Sequence, residues 1–219
     1  AAGRVDKHAE VFEAWARRAP ESCTLGDAEL VLDLGCGPGF TTHLVAETIR
    51  PKETIGLENA ERFIELAEGH ARDGVRFLKR DITRTPLEDR AADAVYGRFS
   101  LAHLPDVDSL VASWGGALRE GGRLLLEEVE WIETSVETFR FYLDTVEAML
   151  ANNGSQLYVG RDLASMEVPG LRVIRNELVR FNVADCDAAA MFVPNLSAWE
   201  GEAFIRDRMS AAQIEALRS

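Results

Sequence analysis

Basic residues are scarce in this chain. Lys and Arg number 24 against 37 Asp and Glu, a formal charge of −13. So acidic a body repels phosphate backbones and anionic lipid surfaces, which argues against nucleic acid or membrane as the main partner. Cysteine is also sparse. Cys23, Cys36 and Cys186 form no CxxC pair, which argues against a disulfide framework and against a zinc site. No apolar run approaches ~20 residues, so no membrane span is expected. The opening residues AAGRVDKHAEVF contain no apolar h-region of a signal peptide. Repeats and low-complexity tracts are absent. What is left is a globular chain of 219 residues, 47% of them hydrophobic. That suits one α/β domain with a real core. The expected setting is cytoplasmic, with a small-molecule partner, as a monomer or homodimer.

Glycine is concentrated where a helix begins. In VLDLGCGPGF, residues 31–40, Gly35, Gly37 and Gly39 follow an apolar run containing Asp33. Upstream, Val5, His8, Val11, Phe12 and Trp15 fall near helical spacing, and Pro20 is expected to stop that helix. AELVLDLG reads as a strand covered on both faces, and TTHLVAETIR as the helix after it. Strands follow at 54–59, 75–82, 92–100 and 123–131. Helices lie at 60–71, 106–120 and 136–154, the second ended by Gly121-Gly122. LRVIRNELVRFNV (171–183) alternates like a further strand. This alternation predicts an α/β fold with a doubly wound, mostly parallel sheet, whose ligands bind beyond the carboxyl ends of the strands.

The chemistry-bearing residues fall at those ends. Three glycines offer bare backbone and positive φ, and the helix after them offers free N–H groups. Glu58 follows the second strand, 19 residues beyond Gly39; a carboxylate there can accept from a ribose diol. Asp81 and Ile82 follow the third strand. Gly97, Arg98, Phe99 and Ser100 follow the fourth, and Glu127, Glu128, Glu130 and Trp131 the fifth. Aligned on Gly35 and Gly37, the dinucleotide fingerprint G-x-G-x-x-G would need glycine at Phe40. A P-loop would need a lysine that is not there.

The spacing that does match is E/D-x-G-x-G-x-G, as Asp33, Gly35, Gly37 and Gly39. LDLGCGPGF resembles the first motif of the class I S-adenosylmethionine-dependent methyltransferases. DAVYGRFSLAHLPD is similar to that family's fourth-strand segment, and LREGGRLLLEE to the lead into its fifth strand. The resemblance implies transfer of a methyl group from S-adenosylmethionine, with S-adenosylhomocysteine as product, to the O, N or C atom of a small molecule. It implies that Gly35, Gly37 and Gly39 carry the cofactor's methionine part, with Asp33 organising the loop or meeting the amino group through water. Glu58 would take the ribose hydroxyls, with Asn59 beside the adenine. Asp81 would read the adenine amine over Ile82, and the main chain at Arg98 and Phe99 would close over the amino group. A seventh, antiparallel strand is normal in that family. No β-branched run after Val183 supplies it, so either the chain stops before it or the protein omits it.

On the acceptor side, His103, Glu128 and Glu130 are the candidates for a general base, with His103 and Glu130 favoured as acceptor contacts. Trp131, Tyr158 and Arg161 are candidate acceptor contacts, as are Phe12 and Trp15 on an amino-terminal lid. No metal is expected, because the carboxylates and the Asp-Asn pair of the magnesium-dependent members are absent from YGRFS and LLLEE. The whole chain reads as one domain: a helical lid over 1–29, a cofactor core over 30–131, and substrate-side helices with the last strand over 132–219. Two other readings stay open. One is a nicotinamide-dependent oxidoreductase. The other is an S-adenosylmethionine-binding protein with a different reaction or a regulatory role.

Overall fold

The computed structural model describes residues 16–84, 91–199 and 201–218. Its centre is a sheet of five strands: β1 (Leu30–Leu34), β2 (Glu53–Glu58), β3 (Val75–Lys79), β4 (Ala92–Arg98) and β5 (Leu118–Glu127). Their order is β3-β2-β1-β4-β5, with every pairing parallel. All five residues of β1 and all seven of β4 are buried, as expected of strands covered on both faces. The chain moves outward from β1 on one side through β2 and β3, then returns to β1's other side with β4. The crevice at this reversal lies beyond Leu34 and Arg98, where open parallel sheets bind ligands.

Helices α1 (Arg18–Ser22), α2 (Phe40–Ile49), α3 (Glu61–Glu68) and α4 (Val107–Gly116) link or cover these strands. The core gathers Leu32, Leu34, Ile55, Leu57, Val95 and Trp114. Trp114 is fully buried, and its indole N–H donates to the carbonyl of Ile82 at 2.8 Å, so the ring is buried without an orphaned donor. At the opposite end of the sheet, the buried Asp93 accepts from the N–H groups of Glu29 and Leu30 at 2.8 and 2.9 Å. Arg119 pairs with its other oxygen. One carboxylate therefore ties together the starts of β1, β4 and β5.

After β5 come α5 (Glu137–Asn152), the short α6 (Gly160–Leu163), α7 (Asp185–Trp199), α8 (Ala203–Arg208) and α9 (Ala211–Arg218). α5 buries Tyr142, Leu143, Val146 and Leu150 against residues of α7 and α9.

Four expectations need correction. Pro20 lies inside α1 rather than ending a helix; it is in the first turn, where no backbone donor is needed. The helix before β5 ends at Gly116, and Gly121-Gly122 belong to the strand. Gly122 has backbone packed against it on two sides: a Cβ there would lie 3.0 Å from the Arg119 carbonyl oxygen and 3.1 Å from that of Asp93. AAAMFVPNLSAW (188–199) reads from its sequence as a helix interrupted at Pro194, yet helix α7 runs through that position without a break. Residues 171–183 pair with no strand and have no regular structure. Their alternation is real, but it leaves Val173, Ile174 and Leu178 more than half exposed, with no partner strand among the described residues to supply a ladder. Within the described residues the sheet has five strands and no sixth or seventh, and β5 is an edge strand.

Candidate active site

The glycine loop is shaped by its neighbours. Gly35, Gly37 and Gly39 have φ of +72°, +54° and +92°, a region that costs any L side chain energy. At Gly35 a Cβ would lie 2.5 Å from Ser100 Oγ, and at Gly39 2.7 Å from the Phe77 ring. At Gly37 it would meet no protein atom within 4 Å. Two of the three positions are therefore closed by packing. The third presents its bare backbone to the cavity that Gly37 helps to line.

Asp33, 1% exposed at the end of β1, accepts from the hydroxyls of Thr41 and Thr42 at 2.7 Å each. The loop is thereby pinned to the first turn of α2. Burial pushes the Asp33 carboxyl up to about 6, against the pull of the two threonine hydroxyls and of Arg98. Cys36 is buried, its thiol pushed far up by burial and by the Asp33 charge; it serves packing, not nucleophilic chemistry.

Glu58 binds the loop from the next strand. One oxygen accepts from Gly37 N–H at 3.2 Å, the other from Asn59 and Ala60 N–H at 2.8 Å each. It thus supports the start of α3 and the glycine loop together. Asn59 is exposed. Asp81 closes a turn, accepting from the N–H and hydroxyl of Thr83 at 3.0 and 2.6 Å; these bonds hold its carboxyl below the ordinary aspartate range. Ile82 is buried, with its Cδ1 3.5 Å from where a Gly35 Cβ would stand.

Beyond β4 and β5 the charges are buried. The Arg98 side chain is 5% exposed and pairs with Glu127 at 3.1 Å. Its guanidinium lies 4.5 Å from the centroid of the Phe99 ring. Phe99 has φ +52°, an uncommon conformation for an aromatic residue, and its N–H donates to the Glu127 carbonyl at 2.9 Å. Glu128 places one oxygen on the N–H groups of Ser100 and Leu101 at 2.9 and 2.8 Å. Its other oxygen is buried without a hydrogen-bond partner. Burial pushes this carboxyl up to about 7. His103 ends the 3₁₀ turn Leu101–His103 and is exposed.

These residues open onto a cavity of about 3270 Å³, lined among others by Gly37, Arg98, His103, Glu128, Trp131 and Arg161. It is far larger than the 300–1,000 Å³ usual for a small-ligand pocket, because it runs on along the free edge of β5 to residues 171–183. At its rim the Trp131 and Tyr158 rings stack with centroids 6.1 Å apart, and Arg161 lies 4.8 and 4.5 Å from them. Arg161 Nε donates to the carbonyl of Glu130 at 3.1 Å. The Glu130 side chain itself is exposed.

The strand ends thus bring together Asp33, Gly35, Gly37, Gly39, Glu58, Arg98 and Phe99, with Ile82 close behind Gly35. Asp81 and Asn59 lie at the periphery. Phe12 and Trp15 lie outside the described residues. Sequence reasoning placed Ser100 after the fourth strand without giving it a role, since no spacing announces its packing against Gly35, and it passed over Gly160. A Cβ at Gly160 would lie 2.8 Å from the backbone of Glu130, so this glycine lets α6 approach the end of β5. Asp33's threonine partners were legible as a helix start, though not as ligands of the carboxylate.

Residues 32–126 match the family model described as a methyltransferase domain. Among curated proteins, the chain is 33% identical over 103 residues to a trans-aconitate 2-methyltransferase of Variovorax paradoxus, covering 47% of this chain and 39% of that protein. It is 29% identical over 134 residues to a demethylmenaquinone methyltransferase of Thermotoga maritima, covering 60% and 58%. The chain thus spans about half the length of the curated relatives it matches. Its fold is similar to a crystal structure of a Bacillus halodurans C-125 protein provisionally assigned to the methyltransferases. That TM-score is 0.55 at 21% identity, over 70% of this chain and 66% of that one. Over residues 32–126, from within β1 into β5, the chain is thus similar to the methyltransferase domain family.

Proposed function

We propose that this protein transfers a methyl group from S-adenosylmethionine to a nucleophilic O, N or C atom of a small molecule. The observation that carries this reading is the glycine loop at the sheet's switch point. Packing closes it at Gly35 and Gly39 and leaves it bare at Gly37, and a carboxylate from the neighbouring strand already sits on the Gly37 amide. The residues fit the cofactor. The bare backbone admits its methionine part, and the buried acids Asp33, Glu127 and Glu128 outnumber Arg98, which favours a ligand carrying ammonium and sulfonium charge.

The bound cofactor supplies an activated methyl group with a neutral sulfide as leaving group. The chain's task is alignment and exclusion of water. In this reading Gly35 and Gly37 hold the methionine part, and Asp33 fixes the loop through Thr41 and Thr42. Glu58 exchanges backbone contacts for the ribose diol. Asn59, Asp81 and Ile82 surround the adenine, and the main chain at Arg98 and Phe99 meets the amino group. His103 and Glu130 face the acceptor and are the candidates to take its proton. Trp131, Tyr158 and Arg161 form the far wall.

The curated relatives name two different acceptors, trans-aconitate and demethylmenaquinone, which supports a small-molecule acceptor without choosing its atom. The charge of −13 supports the same class over nucleic acid. The free thiols Cys23, Cys36 and Cys186 suit a cytoplasmic setting, as a monomer or homodimer. Incubation with methyl-labelled S-adenosylmethionine and a fractionated metabolite extract tests the proposal. Label should enter a small-molecule fraction. Label in no fraction, under conditions where the cofactor binds, would favour the regulatory reading.

A further inference from the structure

We propose that Glu128 is a positioning residue that joins the two halves of the site: it fixes the turn carrying His103 and, through Ser100, the mouth of the glycine loop. The inference rests on the methyltransferase reading and adds to it a residue and a linkage.

The connection can be followed bond by bond. Glu128 stands one residue past β5. Its Oε1 takes the N–H groups of Ser100 and Leu101, 28 and 27 residues earlier in the chain. Those two amides open the 3₁₀ turn Leu101–His103. The Ser100 hydroxyl lies 3.0 Å from the carbonyl of Leu34 and 3.1 Å from that of Arg98, with one proton to give between them. Leu34 is the last residue of β1, and Ser100 Oγ is also the atom that a side chain at Gly35 would strike. Three strand ends, β1, β4 and β5, thus meet through one carboxylate and one hydroxyl. A shift of Glu128 would be felt both at the cofactor loop and at His103.

The positioning role needs an acceptor for two amides rather than a charge. A buried charge is costly unless paired, and among the described residues no cation is in direct contact with Glu128. The charges that bear on it are those of Arg98, itself engaged with Glu127, and of Glu127. A neutral amide oxygen could accept the same two N–H groups without that cost. Glu128 Oε2 makes no hydrogen bond, and the residue lines the cavity.

The test is calorimetric titration of S-adenosylhomocysteine, well below the melting temperature, into the wild type, Glu128→Gln, Glu128→Ala, Ser100→Ala and the Glu128→Ala/Ser100→Ala double variant. Glu128→Ala should weaken binding about tenfold or more, because it strands two amides and frees the turn. Glu128→Gln, which still offers an oxygen, should stay within about threefold. Ser100→Ala should weaken binding by several-fold, and the double variant should be no worse than Glu128→Ala, since both cut one chain of contacts. A Glu128→Ala protein that melts earlier but binds like the wild type would overturn the proposal, as would multiplicative effects in the double variant. So would a Glu128→Gln protein as impaired as Glu128→Ala. If Glu128→Ala does not fold, Ser100→Ala decides, and unchanged binding there overturns the linkage. A wild-type chain that binds no S-adenosylhomocysteine would fail earlier, at the methyltransferase reading itself.

Discussion

Thr42 donates its hydroxyl to Asp33 at 2.7 Å, joining the end of a buried strand to the first turn of the next helix. Thr41 does the same from one residue earlier. The carboxylate between them is 1% exposed and titrates near 6. Its acidity sets a pH dependence whose sign can be worked out. A carboxyl raised from 3.8 to about 6 binds more protons in the folded than in the unfolded state across that interval. Its contribution to stability is therefore full below about pH 3.8 and lost as pH rises through 6. Asp33→Asn removes that penalty while keeping an oxygen for the hydroxyls. It should raise the melting temperature at pH 8 by a few degrees, for a gain of about 1–2 kcal/mol, and weaken S-adenosylhomocysteine binding by removing a negative charge near its ammonium group. Thermal scans at pH 5 and pH 8 should show the stabilisation shrinking at the lower pH.

The three glycines should separate folding from binding. Gly35→Ala places a methyl 2.5 Å from Ser100 Oγ, and Gly39→Ala places one 2.7 Å from the Phe77 ring; each should cost about 2–4 kcal/mol of stability through strain and displacement. Gly37→Ala meets no protein atom and should cost only about 1–2 kcal/mol for its positive φ. It should nevertheless lose cofactor binding by at least about thirtyfold, because its methyl stands where the ligand's backbone contact is needed. Melting curves and titrations on the three variants check the pattern.

Glu58 supports the loop and α3 as well as the proposed ribose contact. Glu58→Gln keeps an oxygen for the Asn59 and Ala60 amides, turns its NH2 toward the Gly37 N–H, and loses the charge that favours two ribose hydroxyls. Its stability should fall by about 1–2 kcal/mol, while its affinity for S-adenosylhomocysteine should fall about tenfold or more. Equal affinity for wild type and variant would reduce Glu58 to a helix-start residue.

Away from the site, Asp93 ties three strand starts together and should govern stability alone. Burial pushes its carboxyl up, but the Leu30 and Glu29 amides and Arg119 outweigh it and leave the group below its ordinary value. Its stabilisation is therefore present above about pH 4 and lost as pH falls through the lower folded value. Asp93→Ala should cost about 2–4 kcal/mol at pH 7, read by denaturant titration, with cofactor affinity in the surviving folded fraction unchanged.

Much of this architecture was legible because a buried parallel strand writes itself as an apolar run. VLDL and DAVYG sit where their composition puts them, and Gly35, Gly37, Gly39, Glu58 and Arg98 converge because each closely follows or ends a strand. Residues 171–183 misled for the opposite reason. Alternation states which faces a strand would present, not whether a neighbour exists to pair with it, and Val173 and Ile174, which would face opposite sides of a strand, are both exposed. Gly121-Gly122 reads as a helix stop, yet Gly122 serves a close approach of the Asp93 backbone. Asp81 and Glu58 show how far side-chain chemistry can be read. Their positions followed from spacing, but their present hydrogen bonds, to Thr83 and to the Gly37 amide, depend on turns that no spacing encodes. Ser100 and Glu128 are joined across 28 residues, a contact that only the meeting of β1, β4 and β5 creates.

The central claim is that the loop from Gly35 to Gly39 holds S-adenosylmethionine and not a dinucleotide. Calorimetric titration of the wild-type protein with S-adenosylhomocysteine and, separately, with NAD tests it most directly. The account predicts one-to-one binding of S-adenosylhomocysteine in the micromolar range, weakened at least about thirtyfold by Gly37→Ala, and no heat with NAD. Saturable binding of NAD, with none of S-adenosylhomocysteine, would contradict it.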